Sequence, residues 1–84
     1  DKKSVKKQEK PDYQYAHETL TKLVERNSSN AFIWYNLGNV HLQMQEFHKA
    51  IDDYSEAIRY ENNLAEAYYN RGLTLLRRER HGNE

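Results

Sequence analysis

Apolar side chains recur at intervals of three and four along most of the chain, and clusters of polar residues divide it into four segments. In the first segment Tyr13, Ala16, Leu20, Leu23 and Val24 share one face of a helix expected over 12–26, after Pro11. Asn27, Ser28, Ser29 and Asn30 break that pattern, because short polar side chains bond their own backbone in turns, and Asn30 is placed to cap a second helix. That helix, over 31–43, puts Trp34, Leu37, Gly38 and His41 on one side. A turn near Gln45 leads to a third over 46–60, whose buried stripe is Phe47, Ala50, Ile51, Tyr54, Ala57 and Ile58. Glu61, Asn62 and Asn63 form the next turn, and Asn63 with Glu66 has the spacing of a reciprocal cap. The fourth helix is expected over 64–78, with 81–84 as a frayed end. No run alternates with the period of a strand, so the pattern predicts an all-α chain of four helices with short connections.

The segments are also related to one another. A shift of 34 residues lays Ala31 on Ala65, Trp34 on Tyr68, Tyr35 on Tyr69, Asn36 on Asn70, Gly38 on Gly72 and Leu42 on Leu76. The same shift lays Tyr13 on Phe47, Ala16 on Ala50, Leu20 on Tyr54 and Val24 on Ile58. A fixed period of this size marks a stacked helical array, in which each unit buries its apolar face only against its neighbours.

The residues that carry the period resemble the tetratricopeptide repeats. That family's pattern of Trp, Leu, Gly and Tyr on one helix, then Ala, Phe and Ala on the next, reads here as Trp34, Leu37, Gly38 and His41, then Ala50, Tyr54 and Ala57. Tyr68 and Gly72 repeat two of these positions, and the resemblance covers residues 12–80. It implies antiparallel helix-turn-helix units stacked as a short right-handed solenoid. His41 departs from the pattern where Tyr is preferred, and Asn62 stands where Pro usually ends a unit, which loosens that turn. In this register the chain comprises the second helix of one repeat, a whole repeat at 31–64 and the first helix of another, which implies a longer array. Small residues have a physical role in such packing. Gly38 and Ala50 let the helices of one hairpin approach, and Ala57 makes room for the next unit.

Composition narrows the chemistry. Of 84 residues only 37% are hydrophobic, but seven Tyr, two Phe and one Trp bury large areas per residue, so aromatics are expected to build the core. There is no cysteine, which removes disulfides, thiolate zinc sites and cysteine nucleophiles and leaves the compartment open, with a lean to the cytoplasm. No stretch approaches the roughly 20 apolar residues of a membrane span. Net charge is zero, yet residues 1–10 hold five Lys against Asp1 and Glu9, and that segment reads as a basic, disordered tail or linker over 1–11. Arg71, Arg77, Arg78 and Arg80 form a second basic cluster, read as charge complementing a helix C-terminus. Without a continuous basic stripe on the body, nucleic acid is argued against.

Catalytic and metal chemistry find no pattern. His17, His41, His48 and His81 are scattered and read as packing or surface residues. Asp52 and Asp53 are adjacent and so diverge on a helix, which makes a solvated face the expectation. The serines have no readable base beside them, and no Gly-rich phosphate loop occurs. The chain is read as a non-enzyme without cofactors.

The resemblance implies a partner-binding surface as the seat of function. First helices of successive repeats line a concave face in this family, which here would be Phe32, Tyr35, Asn36, Asn39, Leu42 and Gln43, continued by Glu66, Tyr69, Asn70, Leu73 and Arg77. Tyrosines supply area at low entropic cost and asparagines can hold a peptide backbone, which suits an extended segment of another protein. Tyr35 and Tyr69 read equally well as packing residues between helices. Some members clamp a terminal carboxylate with Lys, Asn, Asn, Lys and Arg. Asn39 and Asn70 match the two asparagine places, but Tyr35 stands at the first lysine and cannot supply the charge-assisted bond. The competing expectation is self-association, with end helices stacking on those of another copy.

Overall fold

The computed structural model describes residues 12–82. They form four helices, α1 (Tyr13–Arg26), α2 (Ala31–Gln43), α3 (Phe47–Tyr60) and α4 (Ala65–Gly82), and no strand occurs among them. The expected basic tail over 1–11 lies outside the described residues, as do 83 and 84. In α4 the helical pattern continues past Arg78 to Gly82, where the sequence predicts a frayed end. Nothing among residues 79–82 interrupts it, because Glu79, Arg80 and His81 all tolerate a helix.

Each boundary has a local cause. Asp12 Oδ1 accepts from the Tyr15 N–H at 3.2 Å and starts α1. Asn30 Oδ1 accepts from the Phe32 and Ile33 N–H groups at 2.9 and 3.4 Å, the expected cap of α2. At the end of α2, Gln45 takes a left-handed φ of 61°. Its N–H donates to the Leu42 carbonyl and the Glu46 N–H to the His41 carbonyl, a paired closure that usually employs glycine. The reciprocal cap expected at Asn63 and Glu66 does not form. The carbonyl of Leu64 instead receives the Ala67 and Tyr68 N–H groups, and Leu64 itself is buried, so the chain enters α4 one residue later on an apolar anchor.

The 34-residue period is visible in the bonding as well as in the side chains. Trp34 Nε1 donates to the Ser28 carbonyl at 2.7 Å, and the Tyr68 hydroxyl donates to the Asn62 carbonyl at 3.2 Å. Residues 28 and 62, like 34 and 68, stand one period apart, so an aromatic at the start of a first helix ties down the turn before it in both units. At Asn62 this tie does part of the holding that the absent proline would do.

α1 packs on α2, α2 on α3 and α3 on α4, with a further touch between α4 and α2. The core gathers Ala31, Leu42, Ala50, Tyr54, Ala57, Leu64 and Ala67, flanked by Trp34, Tyr35, Phe47 and Ile58. Tyr54 is 0% exposed and lies across Gly38. A Cβ at Gly38 would sit 2.7 Å from Cε1 and 2.8 Å from Cδ1 of that ring, so the glycine is what lets α2 and α3 close. Leu23, expected on the inward stripe of α1, is 42% exposed. Its equivalent Ala57 is enclosed between α2 and α4, whereas α1 has a helix on one side only among the described residues.

Gly38→Ala should therefore destabilise the chain by about 1–3 kcal/mol through overpacking, even after the gain of up to about 1 kcal/mol in helix propensity. Gly72, at the equivalent place in α4, has nothing within 4 Å of its Cβ position, so Gly72→Ala should be neutral or stabilising by up to about 1 kcal/mol. Urea denaturation of the two variants checks this, and equal effects would remove the steric role assigned to Gly38.

Candidate functional site

Residues 32, 35, 36, 39 and 43 share one face of α2, and 66, 69, 70, 73 and 77 share one face of α4. A polar joint brings those two faces side by side. Asn70 Nδ2 donates to the Tyr35 hydroxyl at 3.1 Å and to Asn39 Oδ1 at 3.0 Å. The same Asn39 oxygen receives the Tyr54 hydroxyl at 2.5 Å. Burial pushes the Tyr54 hydroxyl up to about 12, with the neighbouring Tyr35 adding to the rise, so it stays neutral and donates. The joint thus links α2, α3 and α4 through one amide oxygen. Below Asn70, the buried Thr74 hydroxyl donates to the Asn70 carbonyl at 2.6 Å.

The eleven residues expected on the concave face consequently separate by role. Tyr35, Asn39 and Asn70 are half-buried and bonded to one another, so of the two asparagines that match a carboxylate clamp Asn70 spends its Nδ2 donor and Asn39 its oxygen within the joint. Leu42 is 6% exposed and belongs to the core, which corrects its placement among the binding residues. An i+3/i+4 stripe wide enough to include 39 and 43 also reaches the core edge at 42. Phe32 is 58% and Tyr69 71% exposed, and Asn36, Gln43, Glu66 and Arg77 are exposed with them, while Leu73 is half-buried. Beyond the joint, Leu42, Gln43 and Arg77 join Gln45, Phe47, Arg80 and His81 around a notch of about 280 Å³.

The structural repeat positions behave unequally. Trp34, Leu37, Gly38, Ala50, Tyr54 and Ala57 pack inward as expected, but Tyr68 is 44% exposed and Gly72 faces open space. The basic cluster also divides. Arg71 is half-buried, donates to Ser55 Oγ at 3.1 Å and lies over the Tyr68 ring, so it serves packing on α3, apart from Arg77 and Arg80 at the notch.

One site is not apparent from the sequence pattern. Asp53, expected on a solvated face, is buried, and its Oδ2 shares a hydrogen bond of 2.5 Å with His41 Nδ1. The His17 ring meets His41 edge-on with centroids 4.9 Å apart, and Glu46 Oε1 lies 3.9 Å from His41 Nε2, which makes no hydrogen bond among the described residues. Burial raises Asp53 from 3.8 to about 6, opposed by the bond to His41. A signal for it exists all the same. Asp53 falls three residues after Ala50 and four before Ala57, on the inward stripe, and His41 is the departure from the family pattern. Two histidines and two carboxylates here form a pair with neighbours, and no group of three or more metal-ligating side chains gathers among the described residues.

A family model described as "Tetratricopeptide repeat" matches residues 31–64, the segment that spans α2, α3 and the turn to Leu64. Residues 31–64 are thus matched as one tetratricopeptide repeat, and the four helices are consistent with a fragment of such an array. The match covers the unit in which Tyr54 closes on Gly38, and α1 and α4 continue the same helix-on-helix packing. No curated protein matches the chain. Tetratricopeptide repeats are generally protein–protein interaction modules and typically non-catalytic. No helix among the described residues of this one is long and apolar enough to cross a membrane.

Two outcomes test the joint and the pair. Asn39→Ala should cost about 1–3 kcal/mol, because it strands the Tyr54 hydroxyl in the core, and Tyr54→Phe added to it should recover part of that loss in a denaturation cycle. For Asp53, a folded pKa above the unfolded one means that the folded chain holds a proton which the unfolded chain releases. Its contribution is therefore most favourable at low pH and is lost as pH rises through about 6. The stability of the parent relative to Asp53→Asn should fall by on the order of 2 kcal/mol between pH 4 and 7. A relative stability that rises over that range would mean that attraction to His41 outweighs burial.

Proposed function

We propose that the chain binds an extended segment of another protein along the adjoining faces of α2 and α4. The observation that carries this reading is the Asn70–Tyr35–Asn39–Tyr54 joint, whose hydrogen bonds set the two faces side by side. A floor of that kind is pre-organised, so a ligand does not have to order it. Around it, Phe32, Asn36 and Gln43 on α2 and Glu66, Tyr69 and Arg77 on α4 remain free to make contacts.

Their chemistry suits a peptide backbone with apolar side chains. Tyr69 and Phe32 offer rigid aromatic surface, the kind that dominates binding energy in protein interfaces. Asn36 and Gln43 offer paired donors and acceptors of the sort that an extended backbone needs. Glu66 and Arg77 stand near opposite ends of the α4 row, so a segment bearing opposite charges at its ends would be held in one direction. A carboxylate clamp is disfavoured, since Asn70 spends its Nδ2 donor within the joint and Tyr35 brings no charge.

Peptides selected for binding from a random displayed library provide the test. Tyr69→Ala and Phe32→Ala should each weaken a selected peptide by about tenfold or more, near 1.4 kcal/mol. Tyr15→Ala, equally exposed but on α1, should leave the affinity unchanged. Peptides whose affinity ignores both α2 and α4 substitutions would place the binding surface elsewhere.

A further inference from the structure

His41 Nε2 is buried without a hydrogen-bond partner among the described residues, although the other side of its ring is held. Asp53 bonds Nδ1 from α3, His17 meets the ring edge-on from α1, and Glu46 Oε1, at the entry to α3, stands 3.9 Å from Nε2. We infer that these groups form a proton-operated latch on the α2–α3 turn. With a proton added to the cluster, His41 Nε2 carries a hydrogen and Glu46 closes on it as the acceptor; with that proton lost, Nε2 is bare and Glu46 is released to Lys49. This inference does not rest on the peptide-binding reading.

The argument is a count of hydrogens. One hydrogen lies between Asp53 Oδ2 and His41 Nδ1, since that bond requires a donor. If the pair holds only that hydrogen, it carries a net negative charge, Nε2 keeps its lone pair, and the carboxylate of Glu46 has nothing there to accept. A second hydrogen on the pair changes this. It can be assigned to Asp53 with a neutral imidazole, or to the imidazole with an ionised Asp53, and in so close a pair the two assignments belong to one titration. Under either assignment Nδ1 shares its hydrogen with Asp53 and the ring carries the other at Nε2. The pair is then neutral, and Nε2 is a donor with Glu46 in front of it. A shift of about 1 Å by the Glu46 oxygen brings it to hydrogen-bonding distance. Glu46 makes no side-chain cap on α3, so closing on His41 breaks no capping bond.

The surroundings favour the added proton. Burial favours a neutral pair over a charged one, and Asp52 and Glu56 beside Asp53 act in the same direction; against the opposing bond to His41 they raise Asp53 from 3.8 to about 6. Glu46 adds a negative charge on the far side of the ring. Two cations oppose the latch. His17, when protonated, places a like charge against the ring from α1. Lys49 Nζ lies 3.6 Å from the same Glu46 oxygen and competes for it, but Lys49 is exposed, so water screens that pair, whereas His41 is buried. Because Asp53 titrates higher in the folded chain than in the unfolded one, the folded chain gains the proton, and with it the closed latch, as pH falls through about 6. The stabilisation is lost as pH rises through that value.

Nitrogen NMR of the histidine rings in the 84-residue chain, followed from pH 7.5 to 5, reads the hydrogen on Nε2 directly. At pH 5 the His41 Nε2 resonance should be that of a protonated nitrogen, and at pH 7.5 that of a bare one. Urea denaturation of Glu46→Ala at the same two pH values reads the closure. The ratio of the parent's folding equilibrium constant to the variant's should be about tenfold larger at pH 5 than at pH 7.5, the effect of one hydrogen bond to a charged group. Lys49→Ala removes only the competitor and should keep the parent's pH dependence. The Glu46→Ala comparison repeated in a His17→Phe background, where no imidazole titrates beside His41, should show a gap at least as large. A bare Nε2 at pH 5, a parent-to-variant ratio that is equal at the two pH values or larger at pH 7.5, a pH dependence that vanishes with Lys49→Ala, or a gap that vanishes with His17→Phe would each overturn the latch.

Discussion

The contact between the Tyr54 ring and the bare backbone of Gly38 sets the geometry on which the other features depend. The glycine removes the Cβ that would stand 2.7 Å from the ring, and the fully buried ring replaces it as the spacer between α2 and α3. Burying such a side chain contributes about 1.5–3 kcal/mol, a sizeable share for a chain this small. The ring also carries its hydroxyl to Asn39, and Asn39 in turn faces Asn70 on the next repeat. A steric fit inside one hairpin thus determines where the following helix lies, and with it the alignment of the α2 and α4 faces.

The His41–Asp53 pair works against stability locally and for specificity globally. Two polar groups are taken out of water for one short hydrogen bond, with His41 Nε2 left to a distant Glu46. An apolar pair of similar volume would pack as well or better. What the pair adds is register. Sliding α3 by one residue along α2 would bury a carboxylate without its imidazole, so the hairpin has a single arrangement in which both are satisfied. His17 brings α1 into the same group, which extends that constraint across three helices.

Most of the fold was legible because period, turn residues and side-chain size agree. The spacing of apolar residues placed all four helices, the shift of 34 residues related them, and Asn30 declared its cap through a side chain that does only local work. Misreadings occur where a residue's role depends on a contact far along the chain. Asp53 sits on the inward stripe, yet a carboxylate there reads as solvated until His41 is placed opposite. Asn39 and Asn70 look like free ligand-binding amides, because a sequence does not disclose that they meet each other across 31 residues. Leu42 lies next to the face assigned to binding, and a helix face has no sharp edge. Leu23 repeats the position of Ala57, but equal positions have equal burial only when they have equal neighbours.

That dependence on neighbours bears on how a repeat should be compared with itself. Within the hairpin, His41 meets Asp53 and Asn39 meets Tyr54, so a change on either helix is felt by the other. In a solenoid the interface is the unit that must stay intact, since each helix is stable only through its neighbours. Substitutions in such a chain should therefore be weighed in pairs across the packing surface. A single polar residue without its counterpart then becomes the feature that needs explanation, and among the buried side chains of this repeat that feature is the second nitrogen of His41.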